Sequence, residues 1–285
     1  MKKSILSQRL GFSLLTACTA AVVGFLAIIL WDIVTKGAGS VTWKFLTDAP
    51  RDGMTQGGIM PAIVGTFFAT TITTVLALPL GCCVAIYLNE YAKDTAITRL
   101  IRVTIRNLAG VPSIVYGLFG VVLFVQGLRL GTSILSAGLT LGLLTLPWTI
   151  TASEEALKTV PASYREGAFA LGATKWQAIY TNVLPYAFGG ILTGAILGIA
   201  RAAGETAPIL FTGAAFYLPF LPRSVFDQFM ALPYHLYILS TQHHQIEKVR
   251  PLAYGTALVL LGLVLGMNLI AVIIRYKIRK NTKAV

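Results

Sequence analysis

A chain of 285 residues that is 55% hydrophobic and only 12% charged falls well below the roughly 25% charge of a soluble domain. That balance excludes a water-soluble globular fold and leaves the lipid bilayer as the solvent. The formal charge of +12 does not point to nucleic acid, because the Lys and Arg residues sit in short loops flanking apolar runs, where they set membrane orientation.

Lys2, Lys3 and Arg9 ahead of an apolar stretch, followed by Leu15-Thr16-Ala17-Cys18, imitate a secretory or lipoprotein signal. The apolar run continues from Ala20 to Trp31, past any cleavage point, so it has the length of a span and not of a signal core. Runs of spanning length occur at Phe12–Val34, Ile59–Leu88, Leu108–Leu128, Ser133–Ala156, Tyr186–Phe211 and Leu252–Arg275. In hydrocarbon an unmet backbone N–H or C=O costs several kcal/mol, so each run must close its hydrogen bonds as a helix. The expected fold class is therefore all-α, a polytopic membrane bundle of about six transmembrane helices forming one domain. Cys18, Cys82 and Cys83 fall inside these runs with no CxxC or His-spaced pattern, so they read as packing residues, and neither metal nor cofactor is expected.

Gly and Pro interrupt the spans at Pro61, Pro79, Gly81, Gly110, Pro112, Pro147, Gly204 and Pro208. Two readings stay open. Small residues and Pro are ordinary in membrane helices, where they permit close packing. Alternatively Pro79, Gly110, Pro112, Gly204 and Pro208 are hinges of a pore that opens and shuts.

An even number of spans puts both termini on one side. Most of the 23 Lys and Arg residues lie on that side: in the tail with Lys2, Lys3 and Arg9, the loop with Lys93, Arg99, Arg102 and Arg106, the loop with Lys158, Arg165 and Lys175, and the end from Arg275 to Lys283. The positive-inside rule predicts cytoplasmic termini.

Between the fourth and fifth spans, residues 157–185 are too polar to cross the bilayer. Tyr164–Leu171 and Lys175–Val183 read as two short helices broken at Gly172, with Pro161 and Ser163 as start signals. Such a segment is either a solvated connector or a docking knob for a soluble partner. The long segment 212–250 on the opposite side contains His235, His243 and His244, without a metal-ligand geometry. It also holds Phe226, Phe229, Met230, Leu232, Tyr234, Leu236 and Ile238, so it is expected to form an interfacial helix or a surface for an external binding protein.

Glu166-Gly167-Ala168, then Gly172 and Leu184-Pro185, resemble the coupling motif of prokaryotic ABC importer permeases, with Gly167 in place of an Ala and Asn182 in place of an Ile. Three further stretches narrow the likeness: Gly110-Val111-Pro112-Ser113-Ile114-Val115-Tyr116-Gly117, Glu154-Glu155-Ala156-Leu157-Lys158 with Val160-Pro161, and Arg201-Ala202-Ala203-Gly204-Glu205-Thr206-Ala207-Pro208. Together they resemble the PstA family of phosphate-transport permeases. The resemblance implies a type I importer permease fold with its core at about 59–275 and no catalytic residues of its own. It implies docking of an ATPase at Arg165, Glu166, Gly167, Ala168 and Gly172. It further implies a homologous second permease (PstC-like), a pair of ATPase subunits (PstB-like) and an extracytoplasmic phosphate-binding protein (PstS-like), with the complex seated in membrane lipid.

Arg201 lies about 22 Å beyond the expected start of the fifth span, past the bilayer centre. An arginine there costs about 2.5–3.5 kcal/mol unless it faces water, the bundle interior or a counter-charge. Glu205, one turn later, is the nearest counter-charge. The two residues are either a structural pair or, with Thr206 beside them, part of a substrate pathway, since a guanidinium fork fits two oxygens of phosphate. Glu205 would then hold Arg201 or accept a hydrogen bond from the proton of hydrogen phosphate, a proton that sulfate lacks at neutral pH. No GxxxxGK[ST] loop is present to cradle a nucleotide, so ATP falls to another chain. The remaining alternatives are a permease for another oxyanion such as molybdate or sulfate, and a membrane enzyme or scaffold.

Overall fold

The computed structural model describes residues 2–282. In chain order they form α1 (Lys2–Gly37), α2 (Trp43–Thr47), a hairpin of β1 (Pro50–Arg51) and β2 (Gln56–Gly57), α3 (Met60–Ile86), α4 (Ala96–Leu108), α5 (Ser113–Gly120), α6 (Ile134–Lys158), α7 (Ala162–Ala170), α8 (Lys175–Ala178), α9 (Leu184–Gly204), α10 (Ala207–Thr212), α11 (Leu232–Thr241) and α12 (Ile246–Thr282). Wider π turns extend α3 through Tyr91, α5 through Gly127 and α8 through Val183. Among the described residues five helices are long and apolar enough to cross a membrane, or six if one bent pair is counted as a span.

Two of the expected spans need correcting. The third is not a helix that begins at Leu108: α4 ends there, the chain turns through 100°, and the apolar run continues as Ser113–Gly127. Pro112 has no N–H to continue α4, and the turn is closed by Tyr116 Oη donating to Leu108 O at 2.9 Å. The loop rich in Lys and Arg is thus mostly helical. Thr95 caps α4 by accepting from Thr98 N, and Ile97, Leu100 and Ile101 are exposed as on an interfacial amphipathic helix. The fifth span is likewise not continuous to Phe211. It stops at Gly204, runs extended at Glu205 (φ −73°, ψ 133°) and resumes as α10, with Pro208 in the first turn where its missing N–H costs nothing. Pro61 also opens a helix and does not kink one.

Because lipid is as apolar as Leu, the bundle cannot rely on burial alone and is built from close backbone approach. Gly138 and Gly142 of α6 leave room for Ile72 and Leu76 of α3, while Gly190 and Gly194 of α9 accept Ala156 and Ala152 of α6. Threonines on these faces satisfy their hydroxyls within the helix. Thr73 Oγ1 donates to Ala69 O at 2.9 Å and also lies 3.1 Å from Gly138 O across the α3–α6 seam.

Within the segment 212–250, residues 229–239 are largely core, which corrects their reading as an interfacial helix or a surface, while most of the rest of the segment is exposed. Phe229, Met230, Leu232 and Ile238 are buried against α3, α6 and α12. Gly65 makes room for the Met230 carbonyl, and Leu232 N donates to Thr66 Oγ1 at 2.8 Å, so the inserted backbone is paired. The parts on either side of it, with Phe216, Phe220 and Phe226 before and Ile246 after, stay exposed.

His235 on α11 is 3% exposed, and its Nδ1 has no partner among the described residues. Burial first, and then neighbouring His243, push its pKa down to about 4 from 6.5. The unfolded chain takes up this proton more readily, so stability is complete above pH 6.5 and is lost as pH falls toward about 4. The loss is on the order of 3 kcal/mol. The thermal midpoint of the purified chain should fall across that window, and should fall less in His235→Leu.

Candidate functional site

Arg201 occupies the last turn of α9, just before the break. The break is held from behind by α5: a Cβ on Gly117 would stand 3.1 Å from Ala207 O and from Pro208 Cα. Arg201 Nε donates to Glu205 Oε1 at 3.3 Å, so the expected pair forms. The guanidinium also lies over the Trp148 ring of α6, 4.9 Å from its centroid. The Arg201 side chain is 46% exposed on this subunit and that of Glu205 16%. Among the described residues Nε makes the one hydrogen bond of Arg201, which leaves both terminal nitrogens open on the same face. Thr206 follows in the break, half-buried, its carbonyl accepting from Leu210 N to start α10. The result is a planar cationic fork held by a carboxylate on one edge and an aromatic ring on one face, an arrangement that accepts two oxygens of an anion.

The sequence alone did not single out Trp148. Its signal is an aromatic residue at mid-span on the helix that packs against α9, available to a guanidinium that must be shielded from lipid. Of the expected hinges, Pro79 lies inside α3, Gly110 and Pro112 lie in the α4–α5 turn, and Gly204 and Pro208 flank the α9–α10 break.

The second region is the knob between α6 and α9. Thr174 and Gln177 form a capping box that starts α8, and Gly172, at φ +81°, makes the turn from α7 in a conformation that glycine adopts freely. Leu171 at its tip is 90% exposed, and Phe169, Trp176 and Tyr180 are exposed beside it. This is a large apolar surface for one small projection. Glu166 and Gly167 are exposed with it, whereas Ala168 is buried under α7. A Cβ on Gly167 would meet nothing within 4 Å, so the departure from Ala there changes no contact. Arg165 is turned inward, onto Glu90.

Near the knob lie charges whose pairing the sequence did not announce. Arg102 of α4 reaches Glu154 of α6 at 2.8 Å, a contact whose angle makes it Coulombic and not a directed hydrogen bond, and Lys158 approaches the same oxygen at 3.4 Å. The Glu154 side chain is 9% exposed. An acidic residue near the end of an apolar run is the signal that could have marked both Glu90 and Glu154. Glu154→Ala leaves Arg102 half-buried and unpaired and should cost roughly 3 kcal/mol. Glu155→Ala, whose carboxylate is 66% exposed, should stay within roughly 0.5 kcal/mol. Thermal midpoints of the purified variants compare the two.

A multi-pass helical bundle with an open guanidinium on one face and an apolar knob between two spans defines a membrane permease subunit of a larger transport assembly. The chain belongs to the family of binding-protein-dependent transport system inner membrane components, whose family model matches residues 77–280. It is 30% identical over 277 residues to the probable ABC transporter permease protein YqgI of Bacillus subtilis, covering 93% of this chain and 94% of that one. It is 36% identical over 265 residues to the phosphate transport system permease protein PstA 1 of Mycobacterium tuberculosis, covering 90% and 84%. In fold it matches a chain of a bacterial alginate ABC transporter with a TM-score of 0.68 at 13% identity, covering 94% of each. The fold is thus that of type I importer permeases.

Proposed function

We propose that this chain is the transmembrane permease subunit of an ATP-driven importer that carries inorganic phosphate across the cytoplasmic membrane. The observation that carries the reading is the open Arg201 fork, held by Glu205 and Trp148 on a face that a second permease would complete. Relatives named as phosphate transport permeases support the choice of anion.

In this reading both termini and the knob are cytoplasmic, and the knob, through Glu166, Leu171 and Gly172, seats a separate ATPase subunit. A homologous PstC-like permease, two PstB-like ATPases and a PstS-like binding protein complete the complex. The α9–α10 break and the α4–α5 bend are the points at which the bundle yields when the ATPases close. A phosphate passing the break exchanges water for the two free nitrogens of Arg201, in surroundings dry enough to strengthen the contact. Glu205 keeps the guanidinium from binding the anion too tightly to release it, and its carboxylate accepts a hydrogen bond from the P–OH of hydrogen phosphate.

The test is ATP-dependent uptake of labelled phosphate into liposomes holding the full complex. Arg201→Ala should assemble and lose uptake by about 100-fold or more, the scale of a lost charge-assisted pair. Glu205→Gln should retain some phosphate uptake but lose discrimination against sulfate. Parent-like uptake by an assembled Arg201→Ala complex would reduce Arg201 and Glu205 to a structural pair. Competition by molybdate or sulfate as strong as that by phosphate would reassign the substrate.

A further inference from the structure

The knob is fixed to the bundle at an unexpected place. Arg165, beside Glu166 in the chain, turns its side chain away from the exposed face. Its Nε and Nη2 donate to Oε2 and Oε1 of Glu90 at 3.1 and 2.7 Å. Its Nη1 donates to Val160 O at 2.9 Å, and Nη2 also reaches Leu157 O at 3.3 Å, so the end of α6 is held by the same side chain. The Glu90 side chain is 6% exposed and that of Arg165 22%, and Asn89 Nδ2 donates to Glu90 Oε1 at 2.8 Å. This is a bidentate, shielded pair, unlike exposed pairs such as Arg99–Asp94.

Glu90 belongs to the π turn Tyr87–Tyr91 that ends α3. The other half of the knob is fastened there too, with Lys175 Nζ 4.9 Å from the centroid of the Tyr91 ring. From the opposite side Arg102 of α4 donates through Nη2 to Leu88 O at 2.7 Å. One short turn therefore receives both helices of the knob and the amphipathic helix α4. Further along α3, Gly81 lies against Thr149, the neighbour of Trp148 that carries the Arg201 guanidinium.

We infer that the π turn Tyr87–Tyr91 is the lever point of the subunit, and that Glu90 is a positioning residue through which a push on the knob is passed to α3. Were the knob attached only through its chain ends, a push would reach α6 and α9, which flank it in sequence. The Glu90–Arg165 pair adds α3, the helix that packs along α6. A π turn has one residue in excess of the α-helical repeat, which gives this lever a place to yield without breaking the helix. The inference rests on the proposed seating of an ATPase on the knob.

The experiment uses the full reconstituted complex and measures ATP hydrolysis and phosphate uptake side by side, with assembly checked by co-purification. Glu90→Gln should assemble and hydrolyse ATP, while phosphate imported per ATP hydrolysed falls by about tenfold, within the usual range of coupling between sites. Glu90→Asp, which keeps the charge but shortens the tie, should fall between the two. The exchange Glu90→Arg with Arg165→Glu should recover part of what each single reversal loses. A purely structural role would lower assembly and leave the ratio of uptake to hydrolysis unchanged. That result, or parent-like coupling in both Glu90→Gln and Glu90→Asp, overturns the inference. Leu171→Asp separates this failure from that of the docking reading: if it keeps the ATPase bound and transport normal, the knob is not the seat of the ATPase.

Discussion

In hydrocarbon a charge has no water to fall back on, and the placement of a few charges within this bundle organises much else. Arg201 is tolerable in the fifth span because Glu205 and the Trp148 ring stand beside it. α9 ends at Gly204, just before Glu205, and for the break to survive in lipid its backbone must be covered. The close approach of α5 at Gly117 and the restart of α10 at Ala207 supply that cover. The same rule operates at the end of the bundle carrying the knob, where Glu90 and Glu154 are shielded from solvent because Arg165 and Arg102 reach them.

Those two clusters lie at opposite ends of one packing system. α3 carries Glu90 at its end and Gly81 within it, and Gly81 meets Thr149 on α6 beside Trp148. Seams built from Gly and Ala against aliphatic side chains are stiff, because little side-chain volume lies between the backbones to absorb a displacement. The knob is joined to the guanidinium by α9, which carries Arg201, and by the stiff α3–α6 seam, which runs beside Trp148. The helices depart from regular α geometry at the π turn Tyr87–Tyr91, at the bend around Gly110 and Pro112, and at the break at Glu205, among other places.

Much of this was legible in the sequence, for identifiable reasons. Spanning length fixed the bundle, since a run such as Ile134–Lys158 has no other stable state in lipid. The i,i+4 spacing of Arg201 and Glu205 announced their pairing, and Gly172 between two short polar helices announced the knob. What stayed hidden depended on partners distant in the chain. Trp148 acquires its role from α9, and Glu90 from an arginine 75 positions later. Apolarity alone does not distinguish a surface helix from an inserted one, so the segment around Phe229 to Leu239 gave no sign that it fills the core. The break at Glu205 was hidden because Gly204 and Pro208 are equally at home in an unbroken membrane helix.

The most direct test of the account is whether an anion reaches the guanidinium that Trp148 carries. With Trp31, Trp43 and Trp176 replaced by Phe, Trp148 is the one tryptophan left in this chain, and partner subunits freed of tryptophan make it the one emitter in the assembled complex. The account predicts a saturable change in its emission on adding phosphate, weaker with sulfate and absent in Arg201→Ala. An emission unchanged by phosphate in a complex that still imports it would place the transport path elsewhere.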